Sequence, residues 1–358
     1  TQDLRALFFQ RFTMKALARP VFAAVERGWV PDTLVRRGIR SLCQQRLKEI
    51  ATPDGQLSAR VDDFARQMST APVAPLSYKA NEQHYEVPAA FFEKVLGSHL
   101  KYSCAYWDDG ASLDDAEAHA LASTCQHADL HDGQHVLELG CGWGSLTLWM
   151  ARHYPNSRIT AVSNSSSQRA FIEAQACREG LKNVQIITAD MNHFSIDQRF
   201  DRLVSVEMFE HLRNYGSIFG RLSEWLVPGG RFFMHIFCHR TTPYTFEEHD
   251  DSDWMSRHFF TGGMMPSVDL PLRFQKSLEI AQCWNWSGIH YQKTAEAWLM
   301  KLDKERDAIK SLFADVYGAH QADLWLNRWR VFFMACAELF GLHGGREWLV
   351  CHYLFDRR

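Results

Sequence analysis

The chain has 358 residues, 46% of them hydrophobic and 23% charged, and its formal net charge at pH 7 is -3. This length and composition predict a globular protein with one large domain or two moderate ones. The slightly acidic balance gives no electrostatic reason to expect nucleic acid as a partner. No apolar run approaches the roughly 20 residues that a membrane-spanning helix needs, so stable membrane insertion is not expected.

Cysteine usage and the N-terminus favour a cytoplasmic location. The nine cysteines are an odd number without regular spacing, which fits a reduced protein better than a disulfide framework. No C-x-x-C pair is present, so neither a zinc site nor another metal site is expected. The first residues lack the basic start, apolar core and small-residue cleavage site of a secretory signal peptide.

Residues 1–95 are predicted to form a helical N-terminal segment that covers the functional site. Apolar residues recur at helical spacings in three stretches, Leu4–Phe12, Ala16–Glu26 and Thr33–Glu49. A proline-containing polar break follows at Ala71–Ser77. The basic residues between Arg36 and Lys48 make a peripheral contact with a membrane surface compatible with the sequence.

Residues 96–358 are predicted to form the main domain, in which strands and helices alternate from about 115 to 238. The predicted strands are Val136–Leu139, Arg158–Val162, Val184–Thr188, Asp201–Val206 and Gly230–Phe237, with helices beginning after the first strand, at Ser166 and at Tyr215. This alternation predicts an α/β fold with a doubly wound parallel sheet. Such sheets bind ligands at the carboxyl ends of their strands, so the residues that follow each strand are the candidates for a site.

The last section, about 239–358, is predicted to form a helical and aromatic cap over the site. Its aromatic residues include Trp254, Phe259, Phe260, Trp284, Trp286 and Trp298. These rings could stack an aromatic amine or bind a cation through their π faces, or they could be ordinary core. The acidic loop Glu247–Asp253 favours a cationic substrate over an anionic one.

The first predicted strand runs into a glycine-rich turn, Val136-Leu-Glu-Leu-Gly-Cys-Gly-Trp-Gly144. Gly140 and Gly142 let the backbone turn sharply and let a ligand approach without a Cβ in the way. The spacing differs from the G-x-G-x-x-G of dinucleotide sites. It resembles motif I of S-adenosylmethionine (SAM) methyltransferases, in which Glu138 would orient the loop or the methionine amine. An ordinary strand-turn-helix is the alternative.

The residues after the second and third strands complete a candidate nucleotide site. Ser163-Asn-Ser165 stands where an acidic ribose partner is usual, so the neutral Asn164 or a group elsewhere must hold the ribose. Asp190 and Met191 follow the third strand, where a carboxylate suits the amine of adenine and a methionine suits its ring. Helix capping is the alternative role for Asp190.

The stretch Ser205-Val-Glu-Met-Phe-Glu-His211 follows the fourth strand and carries the candidate catalytic residues. On a helical turn Glu207, Glu210 and His211 would share one face, because they are spaced three and four residues apart. Carboxylates can hold an ammonium group, and histidine can take a proton near neutral pH. The alternative is an exposed helix face that carries ordinary charges.

Several of these motifs together resemble the cyclopropane-fatty-acid synthase superfamily. They are Tyr102-Ser-Cys-Ala-Tyr-Trp107, Leu137–Gly144, Val162–Ser165 with Gln168, and Val206–His211. Other stretches resemble more closely its coclaurine N-methyltransferase-like branch, namely Ala80–Pro88, His290-Tyr291, Trp329-Arg330, Ala337–Gly341 and Glu347-Trp348. The resemblance extends over nearly the whole chain from about Leu34. It implies a SAM-dependent methyltransferase with a Rossmann-like class I core beneath a helical N-terminal segment.

The resemblance also implies roles for individual residues. Glu210 and His211 would handle a substrate amine, and Glu86 would lie at the substrate cavity. The SAM-contacting positions that it implies are Tyr102, Ser103, Gly140, Asn164, Gln168, Asp190 and Met191.

The lipid branch of the same superfamily implies a different use of some of these residues. There a bicarbonate ion takes the proton lost during ring closure, and the residues that match its ligands are Cys104, Glu210, His235 and Tyr291. They could equally line a small-substrate pocket, and Cys104 and Tyr291 could simply be packed residues.

The sequence therefore predicts methyl transfer from SAM to a small-molecule acceptor, foremost an amine nitrogen that Glu210 and His211 hold and deprotonate, with Glu207 beside them. The alternatives are a lipid cyclopropane synthase with bicarbonate as base, a methyltransferase acting on a small thiol or sulfide, and a SAM-binding regulator without turnover. A nucleic-acid methyltransferase is not favoured, because the chain lacks a basic patch with interleaved aromatic residues. A homodimer is compatible with the sequence.

Overall fold

The computed structural model describes residues 20–53, 55–75, 87–247 and 254–358. In chain order the helices are α1 (Asp32–Ile50), α2 (Leu57–Ser69), α3 (Ala89–Val95), α4 (Leu113–His127), α5 (Ser145–His153), α6 (Ser166–Glu179), α7 (Tyr215–Trp225), α8 (Trp254–His258), α9 (Gly288–Lys304), α10 (Arg306–Tyr317) and α11 (Ala322–Gly341). The strands are β1 (His135–Leu139), β2 (Arg158–Ser163), β3 (Val184–Thr188), β4 (Phe200–Val206), β5 (Leu226–His239), β6 (Tyr244–Thr245), β7 (Met264–Met265), β8 (Leu278–Trp286) and β9 (Trp348–Arg357).

Seven strands form one twisted sheet in the order β3-β2-β1-β4-β5-β9-β8. The pairs from β3 through β5 are parallel, whereas β9 runs antiparallel to both β5 and β8. The order reverses beside β1, where the chain crosses from one half of the parallel part to the other. Ligands of open α/β sheets bind at such a switch point, so the topology places a site at the carboxyl end of β1.

The parallel part of the sheet confirms the α/β prediction, and the antiparallel edge adds to it. Helix α7 has the predicted bounds, and β1 to β4 lie within a residue of theirs. The predicted cap of 239–358 contains four strands that the sequence analysis did not identify, the two-residue strands β6 and β7 and the sheet strands β8 and β9. Most of β9 is buried without alternation, and a short apolar run of that kind cannot be assigned to strand or helix by its periodicity.

The N-terminal segment packs against the C-terminal helices. Residues 20–26 are helical and α1 lies where a helix is predicted, whereas the predicted helix Leu4–Phe12 lies outside the described residues. The guanidinium of Arg36 binds Glu296 of α9 and Glu338 of α11. Val35 belongs to the same hydrophobic core as the helices α9 to α11. The division of the chain at residue 95 stays a prediction.

A search of the described helices finds none that is both long and apolar enough to cross a membrane.

Candidate active site

Two adjoining cavities lie at the carboxyl ends of β1, β2, β3 and β4. With the open space at its mouth included, the first has a volume of about 950 Å³ and the second about 700 Å³. Gly140, Gly142, Gln168 and His211 line both of them. The glycine-rich turn therefore lies between two cavities that a ligand can enter.

The turn after β1 requires glycine for two different reasons. Gly140 has φ +78°, and a Cβ there would lie 2.9 Å from the side chain of Met208. Gly142 has φ +52°, but a Cβ there would meet no protein atom within 4 Å. Because Gly142 lines both cavities, its missing side chain leaves room for a ligand rather than for the protein.

All nine predicted cofactor residues line the cavities. The first cavity has Tyr102, Ser103 and Glu138, the second has Asn164, Asp190 and Met191, and both have Gly140, Gly142 and Gln168. The structure thus brings together residues that follow three different strands with two that precede α4. Their individual roles toward SAM stay predictions.

Three polar side chains in this set have informative partners. The Glu138 carboxyl accepts from the Thr147 hydroxyl of α5, and burial raises the pKa of Glu138 to about 7. Asp190 accepts from the backbone N–H of Asn192 at 2.8 Å, so it also shapes its own turn. The Oε1 atom of Gln168 accepts from Ser163 at 2.7 Å. Its buried Nε2 has no hydrogen-bond partner among the described residues and is a donor at the cavities.

These residues fit SAM, which supplies a methyl group on a positively charged sulfur. Glycine backbone, a carboxyl group, an amide donor and the Asp190-Met191 pair are the groups that its polar and adenine parts require. The placement of SAM across the shared wall of the two cavities stays a prediction.

Glu207 is a lining residue of the first cavity that several protein groups hold in place. It follows β4 with φ +47°, a left-handed backbone conformation that is rare for residues other than glycine. Its Oε1 atom accepts from the Cys104 backbone N–H at 2.9 Å and contacts His235 Nε2 at 3.1 Å. Its Oε2 atom accepts from the Tyr291 hydroxyl at 2.6 Å. Strained residues held by their surroundings cluster at functional sites, and Glu207 has this character.

A buried lysine lies beside this carboxylate. Lys101 donates to Ser103 Oγ at 2.6 Å and to the Cys104 carbonyl at 2.7 Å. Burial raises the pKa of Glu207, while the charge of Lys101 and the donors that bind Glu207 lower it. The sequence analysis missed Lys101, although a charged residue directly before the Tyr102-Ser103-Cys104 run could have signalled it.

The prediction that Glu207, Glu210 and His211 share one helical face is wrong. Phe209–His211 is a single 3₁₀ turn, and Glu207 precedes it in the left-handed conformation. Glu207 and His211 therefore line the first cavity, whereas Glu210 lines neither cavity.

Burial shifts the pKa values of Glu210 and His211 in opposite directions. The Oε1 atom of Glu210 accepts from the Phe237 backbone N–H at 2.7 Å. Burial and the nearby Glu207 raise the pKa of Glu210 well above its ordinary value, which favours the neutral form of this carboxyl. Burial lowers the pKa of His211 to about 4. His211 is therefore a neutral imidazole at pH 7, and one of its ring nitrogens can accept a proton.

The residues that the resemblance assigned to bicarbonate do not fit that ion. Cys104, His235 and Tyr291 converge on the Glu207 carboxylate, and Glu210 binds the backbone of Phe237 instead. These donors already bind the Glu207 carboxylate. A bicarbonate ion beside this carboxylate would be repelled by its negative charge. The structure does not support a bicarbonate site.

Only part of the predicted aromatic cap faces the site. Phe260 and Trp298 line the first cavity. Trp254, Phe259 and Trp286 are buried in the hydrophobic core, so the core interpretation holds for them. Glu86 and residues 248–253 of the acidic loop lie outside the described residues.

Comparisons with known proteins show which family the chain resembles. Residues 75–344 match the family model of mycolic acid cyclopropane synthetase. The chain is 36% identical over 351 residues to (S)-coclaurine N-methyltransferase of Thalictrum flavum subsp. glaucum, covering 96% of this chain and 97% of that protein. It is 32% identical to the cyclopropane-fatty-acyl-phospholipid synthase of Escherichia coli (strain K12), over only 61% of this chain and 54% of that one.

A solved structure extends the likeness to the whole fold. The crystal structure of coclaurine N-methyltransferase bound to N-methylheliamine and SAH superposes with a TM-score of 0.92 at 35% sequence identity. The superposition covers 94% of this chain and 99% of that one. We conclude from the cavities, the glycine turn and these likenesses that the chain is a SAM-dependent methyltransferase and belongs to the mycolic acid cyclopropane synthetase family.

Proposed function

We propose that the protein methylates the nitrogen of a small, largely apolar amine, and that Glu207 and His211 hold the amine and take its proton. The observation that carries the proposal is the Glu207 carboxylate at the wall of the first cavity, held by three protein groups. An anion in a buried cavity attracts an ammonium group much more strongly than it would in water. It disfavours anionic acceptors for the same reason.

The protonation states support a division of labour between the two side chains. Most aliphatic amines are protonated at pH 7, so the acceptor must lose a proton before its lone pair can react. Glu207 has a raised pKa, which suits a base that works near neutral pH. His211 lies where both cavities meet, and its neutral ring can accept a hydrogen bond from the amine N–H. Its lowered pKa makes it a weak base, so Glu207 is the group that keeps the proton.

The walls of the first cavity support an aromatic or aliphatic body for the amine. Its apolar side chains include Leu100, Leu121, Trp143, Phe237, Phe260, Trp298 and Phe332. The relatives named above include an N-methyltransferase that matches over almost its entire length and a lipid synthase that matches over about half. The first likeness favours an amine acceptor.

Lipid cyclopropanation receives less support. The donors expected for bicarbonate bind Glu207, and the basic residues of α1 are partly neutralised. Arg36 and Arg40 pair with Glu338, and Arg46 pairs with Glu49. A peripheral membrane contact through α1 would have to compete with these ion pairs. We place the enzyme in the cytoplasm, where its nine free thiols would stay reduced.

Product analysis by mass spectrometry tests the proposal. The protein is incubated with SAM and separate panels of secondary amines, small thiols and vesicles of unsaturated phospholipid. We expect a gain of one CH₂ on an apolar amine and none on the lipids. A gain on thiols alone, or on lipid acyl chains, would overturn the assignment of the acceptor. Glu207→Gln is the matched variant, because it removes the charge and keeps the shape.

A further inference from the structure

Three histidines form a continuous hydrogen-bonded file behind Glu207. His235 Nε2 lies 3.1 Å from Glu207 Oε1, and His235 Nδ1 lies 2.9 Å from His352 Nε2. His352 Nδ1 in turn lies 2.8 Å from Nδ1 of His127. His235 and His352 are fully buried, whereas His127 is half-buried at the end of α4. The file therefore runs from the carboxylate toward the protein surface.

Strand register and packing hold the three rings in line. His235 of β5 pairs directly with His352 of β9, which pairs with Trp284 of β8. The Trp284 ring stacks on His127 with centroids 4.0 Å apart and an interplanar angle of 5°. The Trp286 ring lies 4.2 Å from that of His352. Packing against Trp284 and Trp286 therefore helps to hold the rings of His127 and His352 in place.

The chemistry of the file leaves one pattern of protons when Glu207 is ionised. Burial lowers the pKa of both His235 and His352 well below its ordinary value, so each ring has one N–H and one bare nitrogen. An ionised carboxylate only accepts, so His235 must carry its proton on Nε2. Its bare Nδ1 then accepts from His352 Nε2–H, and the bare Nδ1 of His352 accepts from His127.

We propose that His352 and His127 are positioning residues that fix the tautomer of His235, so that its Nε2–H donates to the Glu207 carboxylate. This inference rests on the proposed role of Glu207 in binding the amine. A donor aimed at a carboxylate stabilises the ionised form. His352 and His127 touch neither cavity, and they act on the reaction through His235.

The other groups that face Glu207 are the same in the variants considered below. They are Lys101, the Cys104 backbone N–H, Glu210, His211 and Tyr291. Lys101 also acts on His235 and His352 through its charge. None of them donates to Nδ1 of His235, so the file supplies the donor that holds His235 in the tautomer that the Glu207 carboxylate requires.

Nitrogen NMR of histidine-labelled protein tests the pattern without substrate. We expect His235 and His352 in the Nε2–H form and His127 in the Nδ1–H form, which is the less common one in water. The signals are assigned with single histidine variants. An Nδ1–H signal from His235, or an Nε2–H signal with a bare Nδ1 from His127, would overturn the proposal even if amine methylation were established.

Kinetics with an accepted amine test the consequence. In His352→Leu the donor to His235 is lost, so the ionised form of Glu207 is less stabilised and its pKa rises. The acidic limb of the kcat/KM profile should then move to higher pH by about one unit, with unchanged SAM affinity. His352→Gln keeps an amide donor near the Nε2 position and should restore most of the profile. His320 is exposed and lies outside the file, so His320→Leu is the control for the loss of a histidine elsewhere in the protein.

His127→Phe guards against a folding defect in the His352 variants. Phenylalanine can keep the stack on Trp284 and removes only the terminal donor, so we expect a smaller shift in the same direction. Identical profiles for the wild type, His352→Leu and His127→Phe would contradict the proposal. If no amine is methylated, the proposed function fails and the NMR result still decides the tautomers.

Discussion

Replacement of Glu207 by glutamine removes one charge from the first cavity with little change of shape. The glutamine oxygen can keep the Cys104 N–H at the position of Oε1, where the distance is 2.9 Å. Its amide nitrogen then takes the position of Oε2, which lies 2.6 Å from the Tyr291 hydroxyl in the wild type. That hydroxyl can rotate to accept a hydrogen bond from the amide. The hydrogen bonds change from charge-assisted to neutral, a loss of about 1 kcal/mol for each. Burying a neutral amide costs less free energy than burying a carboxylate, and this difference offsets part of the lost hydrogen-bond energy.

The fold and the SAM affinity of Glu207→Gln should therefore stay close to those of the wild type. Turnover of an amine should fall by about 100- to 10,000-fold, the usual contribution of a positioned base. Initial rates of SAH formation, calorimetry with SAM and thermal unfolding together separate these effects. Glu173→Gln, which removes a carboxylate from an ion pair on the surface of α6, is the control. Amine turnover within threefold of the wild type would refute the role of Glu207.

The glycine turn and three further side chains give additional tests. Gly142→Ala should weaken SAM binding by about tenfold or more in calorimetry, because its Cβ enters the shared cavity wall. Gly180→Ala has similar left-handed strain at φ +69° with no atom within 4 Å, and equal losses in both variants would contradict this reason. Glu210→Gln should lower kcat less than tenfold, because the raised pKa of Glu210 favours its neutral form and its side chain lines neither cavity; a loss as large as that of a catalytic base would argue otherwise. His211→Ala should lower turnover by about 100-fold or more at constant SAM affinity, with partial recovery at higher pH; parallel loss of SAM binding would assign His211 to the cofactor. Lys101→Met should shift the acidic limb of kcat/KM to higher pH, because a lost positive charge raises the pKa of the carboxylate beside it; an unchanged limb would exclude that coupling.

The cofactor half of the site could be predicted from the sequence because its signals are local. Gly140 and Gly142 follow a strand at a spacing that has few alternatives, and Asn164 and Asp190 follow the next two strands. In a parallel sheet all these positions meet at one edge. The glycine turn, the strand ends and helix α7 therefore lie where the sequence predicts them.

The acceptor half depends on contacts between distant parts of the chain, which the sequence pattern does not contain. Glu207 binds groups from the loop before α4, from β5 and from α9. Its left-handed backbone separates it from Glu210, and an assumption of regular helical spacing cannot anticipate that. The file through His352 requires the antiparallel strand β9, which has no alternating pattern to reveal it.

A crystal structure of the protein with SAH and a secondary amine that it methylates tests the central claim most directly. We expect the amine nitrogen within hydrogen-bond distance of the Glu207 carboxylate, about 3 Å, and on the side of the cavity that His211 lines. An amine nitrogen held by other groups, with the Glu207 carboxylate still bound only by Cys104, His235 and Tyr291, would contradict the account.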